Sequence, residues 1–117
     1  MRYLLIVHVD RALIGRLSPE QGRDLTRRCM AGDDELRRSG HLIDCGPLAE
    51  PETARIVRRR GDRPSVTDGP YAETKEHVGG FMLIEARDMD EAVAIASTSP
   101  MAAMGSIEVR EQPTMGE

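Results

Sequence analysis

The chain has 117 residues, with 20 acidic against 16 basic side chains, a formal net charge of −4, one Phe, two Tyr and no Trp. That length supports one domain with one core, assigned here to residues 1–117, and the core must be aliphatic. An acidic balance without aromatic platforms argues against direct nucleic-acid binding, and no stretch approaches the ~18 apolar residues of a membrane span.

Tyr3 to Val9 is apolar at both odd and even positions, the pattern of a strand covered on both faces. It follows an Arg, as a signal peptide does. It is too short for one, meets Asp10 at once and lacks a small-residue cleavage site, so a cytoplasmic location is expected. Ser18-Pro19-Glu20-Gln21 starts a helix, with Ser as N-cap and Pro in the first turn. Leu25, Cys29, Gly32 and Leu36 fall on one side of that helix, and Gly40 ends it. Cys29 and Cys45 have neither metal-site spacing nor a nearby histidine pair, and they read as reduced, buried thiols.

His41 to Leu48 predicts a second strand. Thr53 to Arg60 and Pro64 to Thr67 predict the arms of a hairpin turning at Gly61-Asp62, with Arg58, Arg59, Arg60 and Arg63 solvated at its tip. Val78 to Ala86 is a further strand opened by Gly79-Gly80. Asp88-x-x-Glu91 begins a helix through Ser97, and Ser106 to Glu111 is the last strand. With the hairpin set aside as an insertion, the order is the α+β, ferredoxin-like βαββαβ pattern, an antiparallel sheet with two helices on one face. One covered face does not satisfy a first strand that is apolar on both. A homodimer whose sheets pack face to face, a dimeric α+β barrel, resolves the mismatch.

Between the hairpin and the next strand runs Asp68-Gly69-Pro70-Tyr71-Ala72-Glu73-Thr74-Lys75-Glu76-His77, which holds the chain's only lysine. Asp-Gly-Pro explains a turn, whereas two glutamates, a lysine and a histidine in the following residues exceed what turning needs. In the expected topology the end of the first strand meets the start of the strand after the hairpin, so His8 and Asp10 should lie near His77 and this loop. The candidate catalytic residues are Asp68 as a base, if buried, with His8 and Lys75. The candidate ligand-binding residues are Tyr71, Glu73, Glu76, His77 and Arg110. Each has a plainer role available: turn hydrogen bonds for Asp68, a salt bridge to Glu73 or Glu76 for Lys75, ring packing for Tyr71, a satisfied strand-end histidine for His8, and pairing of Glu108 and Arg110 with Glu85. No metal and no cofactor are expected. The partners expected are a second copy of the chain and a small-molecule ligand.

Thr67 to Glu76, Gly79-Gly80-Phe81, Asp90-Glu91-Ala92 before Pro100, and Ile107 to Arg110 together resemble the YCII-related proteins of the DGPF type, with Tyr71 in place of the usual Phe. The resemblance implies a dimeric α+β barrel of unassigned biochemical function, in some cases encoded with extracytoplasmic-function sigma factors. Better-studied members of the wider family look like small enzymes with a His in the first helix and an Asp before a Pro after the second. Counted back from Gly40, the His position falls near Cys29, and Ser99 stands where the Asp would precede Pro100, so the resemblance does not carry that chemistry over. Two functions follow as expectations: a small enzyme with acid/base chemistry at residues 68–77, or a noncatalytic ligand-binding or dimerisation module serving a regulator.

Overall fold

Strand β1 (Arg2–Asp10) alternates between buried Tyr3, Leu5 and Val7 and half-buried Leu4, Ile6 and His8, which assigns one parity to the core and the other to the opposite face. The computed structural model describes residues 1–116. After β1 come a five-residue turn of helix, α1 (Arg11–Gly15), and the long helix α2 (Pro19–Arg38). Strand β2 (Leu42–Pro47) leads to the hairpin strands β3 (Arg55–Arg60) and β4 (Arg63–Asp68). Strand β5 (Glu76–Glu85), helix α3 (Met89–Ser97) and strand β6 (Gly105–Gln112) complete the order.

The ends of the helices are set locally. Ser18 and Gln21 exchange side-chain and backbone hydrogen bonds in a capping box, Pro19 occupies the first turn, and Arg37 and Arg38 sit at the negative end of the dipole. Gly40, at φ 83°, takes the left-handed conformation that lets the chain leave α2 for β2. Asp88 caps α3 by accepting from the Glu91 amide, as its spacing predicts.

The four long strands form one antiparallel sheet in the order β2-β5-β1-β6, and β3-β4 form a separate two-stranded sheet. This is the ferredoxin-like arrangement with an inserted hairpin, the fold of a dimeric α+β barrel. The core lies between the sheet and the helices: Tyr3, Leu5, Met82, Ile84 and Ala86 meet Ala92 and Ala96 of α3, with Leu36 of α2 at its margin. Burying each large aliphatic side chain of this kind contributes about 1.5–3 kcal/mol.

Some boundaries differ from expectation. Strand β5 starts at Glu76, so Gly79 and Gly80 lie inside it instead of opening it. The β1–β5 register shifts at Val7/His8, and beside it the strands lie so close that a Cβ on Gly79 would meet Val9 Cγ2 at 2.6 Å. Cys29 and Cys45 are free thiols as expected, but they are only partly buried.

Candidate functional site

Helix α3 buries Ala92 and Ala96 against the sheet, whereas α2 buries Leu25 alone. A cavity of about 690 Å³ lies between α2 and the sheet. Val7, Val9, Met82 and Ile95 supply apolar walls, Gly32, Gly46, Gly79 and Gly80 leave room, and Pro47, Pro100 and Met101 border it. Its polar groups are few: Thr26, Arg28, Cys29 and Asp33 from α2, Cys45 from β2, and Thr98 and Ser99 from the segment after α3. A mainly apolar hollow with a few polar atoms is the usual form of a small-molecule site, and the volume falls in the usual range of about 300–1,000 Å³.

The charged groups that line this cavity are the Asp33 carboxylate and the Arg28 guanidinium, beside the thiols of Cys29 and Cys45. Cys45 Sγ lies 3.7 Å from Asp33 Oδ2. Burial first and the Asp33 charge next push the Cys29 thiol up, with Arg28 acting in the opposite direction. Burial first and Asp33 next also raise the Cys45 thiol. Both are therefore protonated at neutral pH and are weak nucleophiles. Ser99 Oγ accepts from the Met101 amide at 3.2 Å and caps the short turn Pro100–Ala103, so its oxygen is already engaged. Cys29 and Ser99 thus border the same cavity. Sequence reasoning did not find this site. Its available signal was the run of small residues, Cys29, Gly32, Cys45 and Gly46, on faces that otherwise read as core.

The ionisable motif is divided between two places. Asp68, whose role as a base required burial, has a side chain 82% exposed and pairs with Arg55 at 3.3 Å across the hairpin. Tyr71 is 77% exposed; its ring neither packs in a core nor enters a pocket, and lies 6.0 Å from the Arg58 guanidinium. Gly69 accounts for the turn in physical terms. Its amide donates to the Ala54 carbonyl at 2.7 Å, and a Cβ there would meet Pro51 O at 2.7 Å and Ala54 Cβ at 2.8 Å.

The second half of the motif does reach the first strand. Val9 pairs with His77 and Asp10 with Glu76 in the ladder, as the topology predicts. Lys75 Nζ reaches Asp10 Oδ2 at 3.8 Å, so its partner is neither Glu73 nor Glu76. Asp10, the buried charged residue at this rim, also caps α1 by accepting from Ala12. Glu76 accepts from Ser106 Oγ at 2.5 Å. His8 Nε2 is 2.9 Å from Glu108 Oε1, and Arg110 Nε donates to Glu108 Oε2 at 2.5 Å. Glu108 therefore pairs with both Arg110 and His8 instead of with Glu85, which lies on β5, beyond β1, and meets the N-terminal amine. Glu73 acts electrostatically on Arg11, and His77 on Glu52. Among the described residues no group of three His, Cys, Asp or Glu side chains is placed to hold a metal ion.

The model of the YCII-related domain matches residues 1–112. An uncharacterized protein of Rhizobium meliloti (strain 1021) is 31% identical over 112 residues, which cover 94% of this chain and 90% of that protein. Among solved structures, 5-chloro-2-hydroxyhydroquinone dehydrochlorinase (TftG) from Burkholderia phenoliruptrix AC1100, in complex with 2,5-dihydroxybenzoquinone, has a similar fold. Its TM-score is 0.55 at 18% identity, over 97% of this chain and 94% of TftG.

Proposed function

The chain belongs to the YCII-related domain family, and from that premise we propose that it binds a compact, mainly apolar small molecule in the cavity between α2 and the sheet. The observation that supports this is the cavity itself: about 690 Å³, walled by both layers of the fold, with a few polar atoms among apolar ones. A single substituted ring, the size of the 2,5-dihydroxybenzoquinone held by TftG, is well within that volume. Protonated thiols at Cys29 and Cys45, and a Ser99 oxygen used as a cap, favour binding over nucleophilic chemistry. The working protein is a cytoplasmic homodimer formed through the sheet face that carries Leu4, Ile6 and Leu83, a form that suits a ligand-binding accessory to a regulator.

A second reading, acid/base catalysis at the rim of β1, is favoured by the His8–Glu108 pair at 2.9 Å. Here His8 is the proton-transferring group, Lys75 and Arg110 hold an anionic part of the substrate, and Glu73, Glu76 and His77 shape the mouth.

The two readings separate on one substitution. A Cβ at Gly32 meets no atom within 4 Å, so Gly32→Phe fills free space bordering the cavity and improves helix propensity by about 0.3–0.5 kcal/mol. The fluorescence of the neutral probe N-phenyl-1-naphthylamine should rise and saturate with the wild type. Gly32→Phe should weaken its binding roughly tenfold or more, about 1.4 kcal/mol, without lowering the melting temperature. Equal affinity in the two proteins would exclude the cavity as the site.

A further inference from the structure

Among the groups that line the cavity, Asp33 is the carboxylate, and most of its acceptor capacity is unused. Arg28 Nε donates to Asp24 at 3.2 Å, while Arg37 donates to Asp34 at 3.0 Å and to the Cys45 sulfur at 3.7 Å. The Ser99 oxygen accepts from Met101. Asp33, half-buried on the cavity wall, has no Lys, Arg or His within 4 Å among the described residues, and its hydrogen-bond partner is the Cys45 thiol at 3.7 Å. A thiol is a weak donor, while an ionised carboxylate has about four acceptor positions. The two thiols beside it, kept protonated by burial and by this same charge, cannot neutralise it.

We infer that Asp33 is the polar anchor of the cavity and selects ligands in which an apolar ring carries a hydroxyl donor, over ethers and carboxylates of similar shape. This rests on the cavity being the binding site. The hydroxyl donates to the Asp33 carboxylate, a charge-assisted bond that an ether cannot form. A ligand carboxylate brings a second negative charge to the same spot and is repelled. The apolar body of the ligand covers Val7, Val9 and Met82 and removes water from around the bond, which strengthens it.

The test is an NMR titration of the wild type, Asp33→Asn and Asp33→Ala with 4-ethylphenol, 4-ethylanisole and 4-ethylbenzoate. The wild type should bind the phenol about tenfold more tightly than the ether and the benzoate most weakly. Both variants should reduce the phenol preference to about twofold while leaving the ether's affinity unchanged. Equal binding of phenol and ether by the wild type overturns the anchor and leaves the cavity reading intact. A preference that survives in both variants overturns it as well. Failure of all three compounds to bind at millimolar concentration removes the cavity reading, and the anchor with it.

Discussion

The sulfur of Cys45 and the carboxylate of Asp33 stand 3.7 Å apart, joining an edge strand of the sheet to α2 across the cavity. Burial and this charge hold the thiol proton in place. Alkylation of Cys29 and Cys45 by iodoacetamide should therefore be slow at neutral pH, with its pH midpoint above the value of about 8.5 for a free cysteine. Asp33→Asn removes the negative charge and should move both midpoints down. Mass spectrometry of alkylation at a series of pH values measures this, and a wild-type midpoint at or below the free-cysteine value would contradict it.

The pair His8–Glu108 makes a second prediction, on acid stability. The His8 hydrogen bond first and the Arg110 hydrogen bond second hold the Glu108 carboxyl below the usual glutamate range. A depressed folded-state value favours the fold above the unfolded pKa of about 4.3, and this contribution is lost as pH falls through the depressed value. The melting temperature should fall on acidification below about pH 4.5, and Glu108→Gln should fall less steeply over the same window. Parallel melting curves would show that the pair adds nothing to the folded state.

The turn of the motif is predicted to be architectural. Gly69→Ala places a methyl group 2.7 Å from the Pro51 carbonyl oxygen, so urea unfolding should show a loss of about 1–3 kcal/mol. Asp68→Asn breaks only an exposed ion pair and should change stability by about 0–1 kcal/mol. Reversal of this order would mean that the acid matters more to the segment than the glycine.

Association should run through the open sheet face. Leu4 pairs with Leu83 and Ile6 with Phe81 there, and Leu4, Ile6 and Leu83 are half-buried in the isolated chain. Ile6→Arg puts a charge in the middle of that surface and should convert a dimer to a folded monomer, read by light scattering with circular dichroism as the control. A wild type that is monomeric at micromolar concentration would remove this interface.

The elements of the fold were legible because each announces itself locally. Ser18-Pro19 and Gly40 bracket α2, Asp88 opens α3, and short apolar runs bounded by turn residues mark the strands. The neighbourhood of Asp10 and Glu76 followed from topology alone. Helix α1 was missed because five residues are too few for periodicity to register, although Asp10 is an ordinary N-cap for it. The division of the motif was also missed. Asp68 belongs to a hairpin with its own two-stranded sheet, so it is carried away from β1 while Lys75 and Glu76 are drawn towards it. The cavity is the hardest feature to read from sequence, since it depends on the distance between layers. Small residues on an apolar stripe, Cys29 and Gly32 on α2 facing Cys45 and Gly46 on β2, mark where side chains do not fill the space.

The most direct test of the account is amide chemical-shift mapping of the isotopically labelled protein titrated with 4-ethylphenol. The largest shifts should fall on Cys29, Gly32, Asp33, Cys45 and Ser99, around the cavity. Shifts concentrated on residues 68–77 and His8, with the α2 amides unmoved, would place the ligand at the motif and contradict it.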